Sequence, residues 1–121
     1  MIEIYLSNLI HNGRGVKAGS GKEIKIKVTG HAGFGKTGTD IVCAAVSAVV
    51  QTSVISITKV ARVRQKIRQK QGFLESVINI SRLDEADLNN LILIINTMLT
   101  GLEEILTEHP EALIINFERR G

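Results

Sequence analysis

Residues 23–50 read EIKIKVTGHAGFGKTGTDIVCAAVSAVV: an alternating stretch, then a glycine-rich one, then an apolar one. Apolar residues occupy every second position from Ile24 to Val28, which is the period of a half-buried strand. The apolar segment that starts at Ile41 continues towards Ile57, which is too long for an ordinary strand, and its alanines favour a helix. Because this segment is apolar on nearly all sides, we interpret it as a central, buried helix.

The flanking sequence predicts further strands and a second helix. Residues 2–6 alternate like a strand and are expected to pair antiparallel with residues 24–30. Basic residues at every second position from Ala61 to Lys70 indicate a strand with one basic face, although a helix over residues 59–70 remains open; a turn then leads to a strand over 73–80. Asp84 is the predicted cap of a helix with a leucine and isoleucine stripe, and a last strand covers 112–117.

This order of elements, β-β-α-β-β-α-β, predicts an α+β fold with a largely antiparallel sheet of hairpins and two helices. The 121 residues suit one domain over residues 1–121 that needs no disulfide or metal. The single cysteine excludes an internal disulfide and a cysteine-based zinc site, and no metal or other cofactor is expected. Aromatic residues are 3% of the chain, which leaves little for stacking on nucleic acid bases.

The net charge of +3 is concentrated in one place. Six of the fifteen basic residues, and no acidic one, lie between Lys59 and Lys70, so the rest of the chain is net acidic. A lone thiol suits the cytoplasm, and the start of the chain lacks the features of a secretory signal. The apolar stretch around residues 41–50 is shorter than the roughly 20 residues of a membrane span, so we expect a soluble protein with no membrane contact.

The glycine-rich stretch allows a phosphate-binding interpretation. Gly30, Gly35, Lys36 and Thr37 satisfy the pattern of a phosphate-binding loop between a strand and a helix. Such a loop needs the helix to begin at the Lys-Thr pair, whereas Asp40 is the better helix cap here and would repel phosphate. The predicted hairpins also differ from the parallel sheet of nucleotide-binding enzymes.

The alternative is a cysteine nucleophile. With Asp40 or Thr39 as the cap, Cys43 falls in the first helical turn, where the helix dipole and free N–H groups favour a thiolate and form a candidate oxyanion hole. His31 at the end of the preceding strand can then serve as its base. On spacing alone, a lone cysteine in an apolar helix is more often a buried hydrophobic side chain than a nucleophile.

The sequence Gly30-His31-Ala32, a short glycine-containing loop, and then Gly38-x-Asp40-Ile-Val-Cys43-Ala-Ala-Val-Ser47 resembles the signature of the ribosomal-processing cysteine protease family. The resemblance implies a small homodimeric protease that removes a short N-terminal extension from the twenty-seventh large-subunit ribosomal protein. It places the catalytic pair on His31 and Cys43, and a gating loop on Ala32, Gly33, Phe34, Gly35, Lys36, Thr37 and Gly38. Many members have more polar or acidic residues where this chain has Phe34, Gly35 and Lys36.

Other residues keep two interpretations. Asp40 is a helix cap or a third catalytic member, but a carboxylate beside Cys43 would raise the pKa of the thiol, which favours the cap. Ser47 lies one turn after Cys43 and either bonds in the site or lets the helix pack closely. A further candidate is a contact with ribosomal RNA through the basic side of the predicted strand. Its residues are Arg62, Arg64, Lys66 and Arg68. The alternative is that this side of the strand is simply solvated. A non-catalytic, ribosome-associated protein is the corresponding alternative function.

Overall fold

The computed structural model describes residues 1–30 and 37–118, of which 37–40 are described by their backbone only. Its elements, in chain order, are β1 (Ile2–Ser7), β2 (Leu9–His11), β3 (Val16–Ala18), β4 (Glu23–Thr29), α1 (Thr37–Lys59), β5 (Lys66–Lys70), β6 (Phe73–Asn79), α2 (Glu85–Glu108) and β7 (Leu113–Glu118). The predicted α+β class and the order of the main elements are confirmed, with β2 and β3 added.

Five strands form one sheet in the order β5-β6-β4-β1-β7. The two predicted hairpin pairings, β1 with β4 and β5 with β6, are both antiparallel as expected. The last strand differs because it lies parallel to β1, with Ile4 opposite Ile115. Helix α2 separates β6 from β7 in sequence, so the chain has the length it needs to cross over and enter the sheet in parallel.

The short β2–β3 hairpin forms a second sheet that the alternation pattern did not predict. Each of its strands has three residues, too few for a period to be read. The hairpin is held by a side chain of α2: Asn96 Oδ1 accepts from the Val16 N–H at 2.8 Å and Asn96 Nδ2 donates to the Val16 carbonyl at 3.1 Å. A tertiary amide contact therefore defines this element more than its own sequence does.

Alternate residues of the five-stranded sheet face two different environments. On one face the isoleucines and leucines are fully buried, among them Ile4, Leu6, Ile24, Ile26 and Ile78. They join the inner residues of both helices in one hydrophobic cluster. The residues between them point to the other face of the sheet and are half-buried or polar; they include Tyr5, Lys25, Lys27 and Glu75.

Both helices were predicted, but the predicted start is correct for α2 and wrong for α1. Asp84 caps α2 as expected, since its Oδ1 accepts from the Asp87 N–H at 2.8 Å. Helix α1 begins at Thr37, three residues before the predicted cap, so the assignment of Asp40 as the helix cap is wrong. Gly38 was interpreted as part of a loop, but one glycine in the first turn costs a helix only about 1 kcal/mol.

The predicted basic strand is shorter than expected. It begins at Lys66 rather than Ala61, because the N–H groups of Ala61 and Val63 bond back to the Ser56 and Ile57 carbonyls at the end of α1. Ala61 and Val63 are buried and Arg62 is exposed, so the alternation that indicated a strand arises here from a loop. The helical interpretation of residues 59–70 is also wrong beyond Lys59.

Helix α1 is buried along one stripe and not on all sides. Val46, Val50 and Val54 face the core, whereas Ile41 is 67% exposed and Ile55 49% exposed. Two helical segments, Ile41–Lys59 and Glu85–Glu108, are long and apolar enough to cross a membrane by length and composition. The prediction that the apolar stretch is shorter than a membrane span was therefore wrong. The core helix of a soluble protein can have the same length and composition.

Candidate active site

Cys43 opens on a cleft of about 140 Å³ between α1 and one end of the sheet. Its lining comes from the helix α1 and from four strands, β1, β4, β5 and β6. Among the described residues these are Ile2, Val28, Gly30, Cys43, Val46, Ser47, Val50, Gln51, Gln69, Lys70, Gly72, Phe73 and Leu74. The cleft is concave and partly apolar, with a few amide and amine groups in its lining, which is the general form of a ligand-binding site.

Cys43 is free and partly exposed, and it packs at the margin of the hydrophobic core. Its neighbour Val42 is buried, so α1 turns the thiol towards the boundary between the core and the cleft. Because α1 begins at Thr37, Cys43 lies in the second turn and not the first. Its own N–H is therefore beyond the four unpaired N–H groups at the helix start, and the expectation of a first-turn cysteine is wrong.

Ser47 lines the same cleft one turn after Cys43. Its Oγ accepts a hydrogen bond from Gln51 Nε2 at 3.0 Å, and both side chains are exposed. An exposed serine does not serve close helix packing, so the structure favours the interpretation of Ser47 as a polar group of the cleft. Gln51 was not predicted, since a glutamine on a helix carries no distinctive pattern.

Gly30 fixes the chain at the edge of the cleft. Its φ is +94°, and a Cβ added there would collide with the carbonyl oxygen of Met1. Its N–H donates to the Gly72 carbonyl at 3.0 Å, which ties the end of β4 to the β5–β6 turn. The conformation and the close approach both require glycine at this position.

Several predicted site residues lie outside the described part of the chain. These are His31 and the loop residues Ala32, Gly33, Phe34, Gly35 and Lys36; Thr37, Gly38 and Asp40 are described by the helical backbone only. The pairing of His31 with Cys43 thus stays a prediction. By sequence, His31 is bonded directly to Gly30, which lines the cleft together with Cys43.

The family profile described as "Cysteine protease Prp" matches residues 14–114. The chain belongs to the Prp cysteine protease family. The match spans most of the chain and includes α1, Cys43 and every strand that lines the cleft except β1. The protein is therefore an enzyme, a cysteine protease, as the sequence signature predicted.

Solved structures agree with this assignment to the Prp family. The ribosomal processing protease Prp from S. aureus in complex with a substrate peptide is 26% identical, with a TM-score of 0.70 over 98% of this chain and 100% of that one. The same protease with a covalently linked product peptide is 27% identical, with a TM-score of 0.71 over the same shares. A Streptococcus mutans protein shares the fold at 23% identity, with a TM-score of 0.67 over 99% of this chain and 96% of that one. No curated protein matches the chain.

The strand order of the sheet, and not the start of the helix, argues against the phosphate-loop interpretation. Since α1 begins at Thr37, the helix does start beside the Lys36-Thr37 pair, contrary to the expectation. However, β4 precedes the loop and is antiparallel to both of its neighbours, β1 and β6. Nucleotide-binding loops of this pattern follow a strand of a parallel sheet, and a Prp protease sheet is a different arrangement.

The wall of the cleft formed by the β5–β6 turn was not found from sequence. Thr29 lies opposite Phe73 in the sheet, which brings Gly72 and Phe73 next to the chain that leads to His31. Lys70 Nζ lies 5.7 Å from the centroid of the Phe73 ring, and the Arg68 guanidinium lies 5.4 Å from it. The hairpin was predicted, but its position beside the cleft depends on strand order, which no local pattern contains.

The described residues contain no group of three or more His, Cys, Asp or Glu side chains placed to bind a metal ion. Among the described residues, the polar side chains that line the cleft are the Cys43 thiol, the Ser47 hydroxyl, the amides of Gln51 and Gln69, and the Lys70 amine.

Proposed function

We propose that this Prp family protease acts in the cytoplasm, where it removes the short N-terminal extension of the twenty-seventh large-subunit ribosomal protein. Cys43 is the nucleophile and His31 the general base and acid. The observation that supports this is a cleft that combines the chain's only thiol with Gly30, the residue that precedes His31. The S. aureus relatives, described as ribosomal processing proteases with bound substrate and product peptides, support the same substrate class.

In the proposed reaction, the Cys43 thiol gives its proton to His31 as Sγ attacks the carbonyl carbon of the scissile peptide bond. Collapse of the tetrahedral intermediate breaks the C–N bond, and His31 donates the proton to the leaving amine. The resulting thioester is hydrolysed by a water molecule that His31 deprotonates, and the proton returns to Sγ.

The direct test incubates the purified protein with the extended ribosomal protein and determines the cleavage position by mass spectrometry. We expect a single cut near the N-terminus, no cleavage by Cys43→Ala, and a loss of at least about 100-fold for His31→Ala, as expected for the removal of a general acid-base group. His11→Ala is the matched control, because His11 lies on β2 and does not line the cleft. Full cleavage by Cys43→Ala would contradict the proposal.

Rapid labelling of Cys43 by a thiol-directed reagent near neutral pH provides a test that needs no substrate. His31→Ala should slow the labelling and His11→Ala should not. A rate that is equal in all three proteins would show that His31 does not activate the thiol.

We also propose a homodimer that uses the outer side of α1. From Ile41 to Thr58 this helix has no charged residue. Its exposed residues include Ile41, Ala44, Ala48 and Ile55. An uncharged apolar face of this length is typical of a contact with a second copy.

Light scattering coupled to gel filtration tests the dimer. Ile55→Lys should give a monomer, whereas Leu93→Lys, at a 65% exposed apolar position of α2, should leave the dimer intact. A dimer that persists in Ile55→Lys, or wild-type protein that binds lipid vesicles through α1, would overturn this arrangement.

A further inference from the structure

The face of the sheet opposite the helices, which no element of residues 1–30 and 37–118 covers, is called the uncovered face. It is divided into a basic part and an acidic part. On β1 and β7 this face carries Glu3 and Glu118 and no cation. On β4, β5 and β6 it carries five cations and two carboxylates, Glu23 and Glu75. The basic face, as we name it, consists of Lys25, Lys27, Lys66, Arg68 and Lys70.

Strand register brings these cations together from two separate parts of the sequence. Lys66 and Lys25 both lie opposite Val77, one on each side of β6. Arg68 and Lys27 both lie opposite Glu75 in the same way. Two strand spacings separate the partners, so the cations form two rows about 10 Å apart. Arg62 and Arg64, which were predicted to continue the basic strand, precede it and belong to no strand.

Arg68 and Lys27, two of the five cations of the basic face, make defined contacts. Arg68 donates to Glu75 Oε1 from Nε at 3.1 Å and from Nη2 at 2.6 Å. Lys27 Nζ lies 4.8 Å from the centroid of the Tyr5 ring. The pKa of Glu75 is lowered, mainly by its hydrogen bond with Arg68 and also by the charges of Lys25 and Lys27. One carboxylate therefore meets three cations and cannot neutralise them, which leaves an oriented excess of positive charge.

Aromatic residues are rare in the chain but are concentrated here. Of the described aromatic residues, Tyr5 and Phe73 lie on the uncovered face, and both contact cations of the basic face. Rings beside cations on an open sheet are the typical surface for stacking of single-stranded bases. Composition alone argued against such a surface, and only strand order shows that two rings share it.

We propose that the basic face binds RNA through its phosphate backbone. The remainder of the chain is net acidic, so the charge asymmetry orients a polyanion towards this face. An anionic membrane would need exposed apolar anchors among the cations, and the exposed large apolar residue of this parity is Ile114, on the acidic β7. An acidic protein segment would not use the two rings, which favours RNA over that partner.

This surface meets the cleft of Cys43 at one end, where Lys70 and Phe73 line the cleft. Lys25, Lys27 and Lys66 do not line the cleft of Cys43. RNA binding of this kind would raise the concentration of a protease near a ribonucleoprotein without a change in its chemistry. Because the three lysines substituted in the test lie outside the cleft, the inference can be tested independently of the proposed protease substrate.

The test measures fluorescence anisotropy of a labelled single-stranded RNA of about 16 nucleotides, with full-length Cys43→Ala protein as the receptor. Between about 50 and 300 mM salt, the logarithm of the binding constant should fall with a slope of about −3 if four phosphates are contacted. The triple variant Lys25→Gln, Lys27→Gln, Lys66→Gln should reduce the slope to about −1 and weaken binding by about tenfold or more at low salt.

The matched control is Lys17→Gln, Lys22→Gln, Lys59→Gln, which removes the same charge from exposed lysines outside β4 and β5. It should retain the slope, and circular dichroism should show both triple variants folded. Equal losses in the two variants would mean that net charge and not the basic face binds RNA, which overturns the proposal. Stronger binding to phosphatidylglycerol vesicles or to polyglutamate than to the RNA would overturn it as well.

Discussion

The two faces of the five-stranded sheet are built by the same strands and have opposite roles. On the covered face, Ile4, Leu6 and Ile26 have no solvent exposure and pack under the helices. On the uncovered face, the residues between them carry charges that meet across strands, such as Lys27 and Glu75. Since the side-chain period of a strand is two, one sequence can specify both surfaces independently. One face thus supplies stability, and the other is free to carry the proposed RNA contact.

Cys43 lies at the end of the sheet where the two faces meet. The helix that carries it packs on the covered face, while the β5–β6 turn that walls its cleft also carries Lys70 of the basic face. A substitution in the core, at the boundary or on the open face should therefore differ both in size and in what it changes.

The largest contrast is expected between two neighbouring residues of β4. Ile26→Ala removes a fully buried side chain and should lower the free energy of unfolding by about 2–5 kcal/mol. Lys27→Ala, one residue further on the uncovered face, should change it by no more than about 0.5 kcal/mol. Urea denaturation of both variants provides the comparison, and similar losses would contradict the assignment of the two faces.

The second contrast concerns the boundary at Gly30. Gly30→Ala adds a Cβ at positive φ and against the Met1 carbonyl, so it should cost about 2 kcal/mol or more and impair proteolysis. Gly13→Ala is the matched control: its φ is +84°, but no atom lies within 4 Å of the added Cβ. It should cost only the conformational part, about 1–2 kcal/mol, and leave activity unchanged. Thermal unfolding and peptide cleavage measure the two effects.

How far the sequence predicts this fold depends on whether the signal is local. Alternation and capping identified β1, β4, β6 and α2, because each has a period or a cap that is read within one element. The parallel entry of β7 and the β2–β3 hairpin were missed because they depend on contacts such as that between Asn96 and Val16, which lie 80 residues apart.

The site follows the same rule. A contiguous signature identified Cys43 and left Ser47 with two interpretations, whereas Gln69, Gly72 and Phe73 required the strand order. The start of α1 was misjudged since Gly38 and Asp40 satisfy a helix start as well as a loop before one. A pattern at every second residue also failed at Ala61 and Val63, where burial alternates without strand pairing.

A third prediction tests the exception on the covered face, the fully buried Ser76. Its Oγ donates to Gln65 Oε1 at 2.6 Å, and Gln65 Nε2 donates to the Val54 carbonyl at 2.6 Å. Gln65→Ala leaves Ser76 without this acceptor and should cost about 1–2 kcal/mol. The double variant Gln65→Ala, Ser76→Ala should recover part of that loss in urea denaturation, because no buried hydroxyl is then left unpaired. An additive result would contradict the coupling.

The smallest effect is expected at Glu75 on the uncovered face, where the hydrogen bond from Arg68 lowers the carboxyl pKa. A carboxyl group whose pKa is lowered in the folded state stabilises the protein fully at pH values above the ordinary carboxyl pKa of about 4.3. That contribution is lost as the pH falls through the lowered pKa. Arg68 is largely exposed, so Glu75→Gln should cost no more than about 1 kcal/mol at pH 7, and the difference should vanish in acid. Because Glu75→Gln also removes the carboxylate from among three cations, it should strengthen RNA binding while it weakens the fold. Weaker RNA binding by this variant would mean that Arg68 must be held by Glu75 to contact phosphate.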